Sequence, residues 1–212
     1  MTETLIRSYK IDDEDTVRKI CGDTAFFGQK IELLINDRKF IVDALILYYT
    51  KFEPKSLFII EQEGEVIGYL SGCVNTERYD GTFSRHILPL LIKQFITHGH
   101  WYRSSSWRVF AAYGKTVQER QRITNRILDK YHAHCHMNLS MDFQHKGFGS
   151  QLFSHFLQYL AQQDIRGIHV STATEAGKAF FLNKGFIVLG KHPIPKFPVD
   201  APKENWLMGK EI

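Results

Sequence analysis

The stretch Gln144-His145-Lys146-Gly147-Phe148-Gly149 lies between a strand-like alternation and a strongly amphipathic helix, and that placement constrains the chain more than any other feature. Two glycines in one turn free the backbone N–H groups around them. The first N–H groups of the following helix, predicted to start near Ser150, have no intrahelical partner. Both sets of donors point at one spot, so the turn is suited to an anion such as a phosphate. The competing reading is a tight turn that uses glycine for backbone freedom and binds nothing. Two other phosphate loops are excluded by inspection, since a P-loop needs Gly-Lys-Ser/Thr and a dinucleotide turn needs a third glycine with a carboxylate about 20 positions on. Here Gly149 is followed by Ser150, Gln151 and Leu152, and no carboxylate stands around His169.

The flanks set the context. Residues 131–139 alternate, with Ala133, Cys135, Met137 and Leu139 on one face and His132, His134, His136 and Asn138 on the other. After the turn, Leu152, Phe153, Phe156, Leu157 and Leu160 recur at helical spacing, which predicts a helix docked on a sheet with its N-terminus at the turn. A strand over 165–171, a short helix over 175–183 and a turn at Gly185 into another strand follow.

The first half reads as a strand over 5–11, a helix capped by Asp12 or Asp13, and a glycine-containing segment over 22–36. A second helix then carries Phe40, Ile41, Ala44, Leu45 and Tyr48. Residues 57–61 and 66–74 form a hairpin around Gly64. Residues 87–96 read as a helix with Pro89 in its first turn, 106–112 as extended and 116–130 as a helix. Trp101, Tyr102 and Trp107 read as packing residues, and Pro193, Pro195, Pro198 and Pro202 mark a long loop before a last strand at 206–209.

Composition bounds the function. A chain of 212 residues with 43% hydrophobic and 24% charged content can bury one core, which predicts a single domain over 1–212 with an insertion at 78–130. The net charge of +4 argues against a nucleic-acid surface while suiting a polyanionic ligand. Cys21, Cys73 and Cys135 are widely spaced in apolar patterns and read as buried thiols of a reducing compartment. The N-terminal residues show no basic-then-apolar leader and no apolar run reaches the ~18 residues of a membrane span, so a cytoplasmic, membrane-free protein is expected.

The order Gln-x-x-Gly-x-Gly resembles the acyl-CoA pyrophosphate motif of the GCN5-related N-acetyltransferases, and Phe180-Phe181-Leu182-Asn183-Lys184-Gly185-Phe186 is similar to the end of that superfamily's second motif. The resemblance covers residues 131–189 in detail. Thr174 stands where the pattern has asparagine, Gly177 where it has alanine, Phe181 where it has tyrosine, and Met141 where it often has proline. The resemblance implies an α/β fold with a mixed, mostly antiparallel central sheet flanked by helices and a helical insertion before the cofactor-binding strand. It also implies acetyl-CoA as co-substrate, held by Leu139, Met141, Gln144, His145, Lys146, Gly147, Phe148, Gly149, Ser150, Thr174 and Phe181, with no metal. The acceptor would be an amine, a small molecule being favoured over a protein, bound by the segments 22–36 and 192–205. A homodimer is compatible.

Acetyl transfer needs removal of a proton from an ammonium group, polarisation of a thioester carbonyl and departure of a thiolate. By resemblance, the backbone N–H of Leu139 or a direct neighbour serves the acetyl oxygen. Residues 131–139 carry no Asp or Glu, so the proton acceptor is expected among His134 and His136, with His132 weaker, Glu77 in reserve and Asn138 positioning substrate. A bulge, common in this strand of the superfamily, would change which histidine faces the reaction. Two alternatives come from other classes: a zinc-binding domain using His132, His134 and His136, and a non-catalytic acyl-CoA sensor.

Overall fold

Glu63 and Gly64, both in the left-handed region with φ of 53° and 81°, form a two-residue turn that joins Leu57–Gln62 (β2) to Glu65–Cys73 (β3). Two successive positive φ values match the right-handed twist of the strands they connect. In the computed structural model, which describes residues 4–24, 26–33, 37–99, 107, 121, 122, 124–194 and 202–212, this hairpin is the centre of the first half. Around it lie Thr4–Ser8 (β1), Glu14–Thr24 (α1), Arg38–Lys51 (α2), Thr76–Thr82 (α3) and Leu88–Thr97 (α4). The second half contributes Ala133–Leu139 (β4), Phe148–Gln162 (α5), Gly167–Thr172 (β5), Glu175–Asn183 (α6), Ile187–Pro193 (β6) and Glu204–Glu211 (β7).

The strands form one seven-stranded sheet in the order β1-β2-β3-β4-β5-β7-β6. Every neighbouring pair is antiparallel except β4 with β5. This is the mixed, mostly antiparallel sheet flanked by helices that the sequence led us to expect.

Alternation along the strands divides the core in two. Phe58, Ile60 and Leu70 point to the α5 face and meet Leu152, Phe153 and Phe156. Ile59 and Tyr69 point the other way, onto Val17, Ile46 and Tyr49 from α1 and α2. A buried methyl-rich side chain contributes about 1.5–3 kcal/mol, so both layers are needed to hold the helices.

Several boundaries differ from the sequence-based expectation for identifiable reasons. β1 ends at Ser8, because Asp13 folds back to accept the Lys10 N–H at 2.7 Å and pairs with Arg7. Gly22 lies inside α1 rather than opening a loop. In α2 the buried face is Phe40, Val42, Ile46, Tyr48 and Tyr49 instead of the Ile41–Ala44–Leu45 side, because the buried Asp43 turns inward to Arg18, Lys39 and Gln94.

α3 was not foreseen. Asn75 caps it by accepting the Arg78 N–H at 2.8 Å, and a π-helical turn at Phe83–Ile87 carries it into α4. The helix expected over 116–130 reads as turns from Asn125 onward, and most of the rest of it, with Trp101, Tyr102 and all of 106–112 but Trp107, lies outside the described residues. Trp107 is half-exposed and packs edge-on against Phe95. Among the described residues no helix is long and apolar enough to cross a membrane.

Candidate active site

The turn between β4 and α5 is held by its own side chains. Gln144 Nε2 donates to the Leu139 carbonyl at 3.1 Å, closing the loop back onto the strand, and Lys146 lies 5.4 Å from the Phe143 ring centroid. Gly147 has φ of 86° and precedes the first residue of α5, so the helix starts at Phe148, two residues earlier than its periodicity suggests. The first helical bonds run from the Ser150 and Gln151 N–H groups to the Gly147 carbonyl. Amides ahead of Ser150 therefore face out of the helix end, where an anion is favoured. A Cβ on Gly149 would stand 3.1 Å from Met137 Cε, which fixes how closely α5 approaches β4. Met141 is exposed at the rim.

β4 and β5 are joined by only two register pairs, Ala133 with Ile168 and His134 with His169. Both strands are described in full, and past these pairs they part. On its other side β4 stays in unbroken register with β3 from Cys73–His134 to Gly68–Leu139, with no bulge. The His132 carbonyl and the Ser140 N–H bond towards the β3 side, to Thr76 and Ile67. Main-chain direction alternates along a strand, so the N–H and C=O groups of Cys135, Met137 and Leu139 face the opening towards β5.

Unbroken register keeps His134, His136 and Asn138 on one face, turned to α1, α2 and α3. Their settings are not alike. His134 is buried, with Nε2 3.0 Å from Tyr49 Oη and Nδ1 2.8 Å from Thr76 Oγ1. His136 is exposed, its ring edge-on to Tyr49 and to His134. Asn138 donates to Thr24 Oγ1 at 2.8 Å and ties β4 to the end of α1. Glu77 is exposed in the first turn of α3. Sequence reasoning missed Tyr49 and Thr76. Tyr49 was hidden in the apolar run of α2, whereas Asn75 ahead of Thr76 and Glu77 was a readable helix start.

A groove of about 700 Å³ between α1, α2 and α4 lies apart from all of these residues. Of its lining charges, Arg18, Arg38, Lys39 and Asp43 are paired within the fold.

No family model matches the sequence. Solved structures do. The chain is similar to SsHAT at 24% identity with a TM-score of 0.77, over 99% of this chain and 98% of that one. It is also similar to the mosquito arylalkylamine N-acetyltransferase like 5b at 11% identity and a TM-score of 0.66, over 99% and 100% of the two chains. A Drosophila melanogaster polyamine N-acetyltransferase, which catalyses the formation of N-acetylagmatine, matches at 7% identity and a TM-score of 0.62 over 99% and 100%. The fold is that of the GCN5-related N-acetyltransferases.

On the N-acetyltransferase fold the departures at 174 and 177 belong together. Thr174 Oγ1 accepts the Gly177 N–H at 3.1 Å and caps α6, and a Cβ on Gly177 would fall 2.2 Å from Thr172 Oγ1. The Thr172 hydroxyl thus fills the space that a side chain at position 177 would need. Phe181 is half-buried, with ring centroids 5.8 Å from Phe153 and 5.2 Å from Phe186, and packs against the core from α6.

Among the described residues no group of three or more His, Cys, Asp or Glu side chains is arranged to hold a metal ion. The zinc alternative meets a direct obstacle in His134, because both of its ring nitrogens are engaged by Tyr49 and Thr76. Cys21, Cys73 and Cys135 are all buried free thiols, and burial pushes the Cys135 thiol far above its ordinary pKa.

Proposed function

We propose that the protein is an N-acetyltransferase that moves an acetyl group from acetyl-CoA to a primary amine by direct attack of the amine on the thioester. The observation that carries this reading is the parting of β4 from β5 directly ahead of the donor-rich turn at the head of α5. An extended acyl-pantetheine arm needs main-chain partners along its length, and a pyrophosphate needs converging amides at its end. Residues 135–149 offer both in one continuous line.

In this reading the amides around Gly147 and Gly149 and the Lys146 charge hold the pyrophosphate, while Gln144 keeps the turn closed by its bond to Leu139. The Leu139 N–H polarises the acetyl carbonyl and stabilises the oxyanion that forms when nitrogen attacks carbon. The amine approaches from the α1–α2 side, where exposed His136 takes its proton directly or through water. A CoA thiol has a pKa near that of free cysteine, ~8.5, so the thiolate leaves at neutral pH and water reprotonates it without help from Phe181.

A small-molecule amine is the favoured acceptor, in keeping with the formation of N-acetylagmatine by the similar Drosophila polyamine N-acetyltransferase. The buried thiols support a cytoplasmic setting.

The test is a thermal-shift titration with acetyl-CoA followed by thiol release with a panel of amines. A ligand at free concentration c that binds only the native state stabilises it by RT ln(1 + c/Kd), so the melting temperature climbs with the logarithm of ligand concentration above Kd. Absence of any shift at concentrations far above micromolar sinks the reading. A shift without turnover on any amine identifies the acyl-CoA sensor, a reading that Phe181 in place of tyrosine supports.

A further inference from the structure

The hydrogen bonds around His134 define where its protons are. Thr76 Oγ1 lies 2.7 Å from the His132 carbonyl oxygen and 2.8 Å from His134 Nδ1. Two oxygens 2.7 Å apart repel unless a hydrogen lies between them, and a carbonyl supplies none. The single Thr76 hydroxyl hydrogen is therefore spent on His132, and towards His134 the hydroxyl oxygen accepts. Nδ1 must carry the proton. In a neutral imidazole Nε2 is then a lone pair, and the O–H that meets it at 3.0 Å is that of Tyr49.

The same pair of partners sets what surrounds His136. Tyr49 is fully buried in α2, its Oη against His134 Nε2, and its ring centroid is 6.2 Å from that of His136 at an interplanar angle of 76°. Among the described residues, Tyr49 from α2, Thr76 and Tyr79 from α3, Cys73 opposite on β3, His136 on its own strand and His169 on β5 lie around His134. His134 is buried, and burial disfavours the charged form of an imidazole, which keeps the ring neutral. The His134 ring lies 6.0 Å centroid to centroid from that of His136, edge-on.

We propose that Thr76 and Tyr49 are positioning residues that lock His134 as its neutral Nδ1–H tautomer, and that this locked pair orients His136 for proton removal. The role of His136 rests on the function proposed above, whereas the tautomer does not.

Long-range ¹H–¹⁵N NMR of the full chain at neutral pH reads the tautomer, with the His134 signals assigned by their loss in His134→Gln. A protonated Nδ1 and an unprotonated Nε2 are expected. The Nε2–H tautomer or an imidazolium in the wild type overturns the proposal outright, whether or not the protein has activity. Thr76→Val removes the acceptor and shifts the population towards Nε2–H, and Thr76→Ser restores Nδ1–H.

With an active amine in hand, Thr76→Val and Tyr49→Phe should each lower kcat about 10-fold through a misplaced His136, leaving acetyl-CoA affinity unchanged. Thr76→Ser should return kcat to the wild-type value. Unchanged kcat in folded Thr76→Val and Tyr49→Phe disproves the positioning role. A wild type that transfers no acetyl group defeats the functional reading and leaves the tautomer result standing.

Discussion

His134 and His169 face each other in the last register pair joining β4 to β5, with ring centroids 5.6 Å apart. His169 Nδ1 donates to the Tyr131 carbonyl at 2.8 Å, so each imidazole is anchored where the two strands separate. The opening thus begins at a pair of fixed, buried rings, and everything the proposed chemistry needs lies on the β4 side of it.

The first consequence concerns His136. His136→Gln should lower turnover by ~100-fold or more while leaving acetyl-CoA affinity within a factor of two, as measured by steady-state kinetics and titration calorimetry. His134→Gln should behave differently, lowering the melting temperature as well, because it disturbs two buried hydrogen bonds. Full activity in His136→Gln would move the base elsewhere, with Glu77 next to be tested.

Gly149 sets the approach of α5 to β4, and a leucine there would collide with Met137. Gly149→Leu should abolish the acetyl-CoA thermal shift. Circular dichroism should still report a folded α/β protein, since the clash falls in the first turn of α5 against the flexible end of the Met137 side chain. A shift of wild-type size in this variant would place the cofactor away from the turn.

The order and type of elements from 131 to 189 were legible because each carries an unambiguous period or punctuation: alternation in β4, a helical stripe from Leu152 to Leu160, glycine at 147 and 185. α3 was missed because Thr76–Thr82 has almost no apolar residues to show a period, and its identity rests on the Asn75 cap. The face of α2 was misread because a buried carboxylate, Asp43, counts as polar in any periodicity although three partners hold it inside. The histidines were legible as a set but not as individuals. Burial of His134 and exposure of His136 depend on Tyr49 and Thr76, which reach β4 from segments 85 and 58 residues away in the chain.

The Thr172–Gly177 contact predicts that moving towards the family pattern is harmful here. Gly177→Ala should destabilise the protein by about 1–3 kcal/mol through overpacking, despite the better helix propensity of alanine. Adding Thr172→Ala should recover most of the loss. Chemical denaturation of the single and double variants measures the coupling, and additive effects would show that the two side chains do not compete for the same space.

Asp43 gives the stability a pH dependence of defined sign. Burial alone would raise its pKa, but hydrogen bonds from Lys39, Gln94 and Arg18 outweigh burial and hold it below the ordinary carboxylate value. A carboxyl depressed in the folded state adds stability above its unfolded pKa of ~3.9, and that stability is lost as pH falls through the folded value. Asp43→Asn should cost about 1–2 kcal/mol at neutral pH, where these are charge-assisted bonds to a carboxylate. The gap in melting temperature between wild type and variant should shrink as the pH is lowered from about 6 to about 3. A gap independent of pH would show that the Asp43 charge contributes nothing.

A sheet joined at its middle by two register pairs amounts to two sheets sharing a seam. The strands β1 to β4 form one antiparallel ladder and β5, β7 and β6 another. Hydrogen-bonded ladders open as cooperative units, and a seam this short transmits little of that cooperativity. Amide hydrogen exchange should therefore divide the molecule into two blocks of distinct opening energy, with the exchange boundary running between His134 and His169. A ligand lying in the opening would bridge the blocks, and its clearest signature would be the merging of two exchange classes into one.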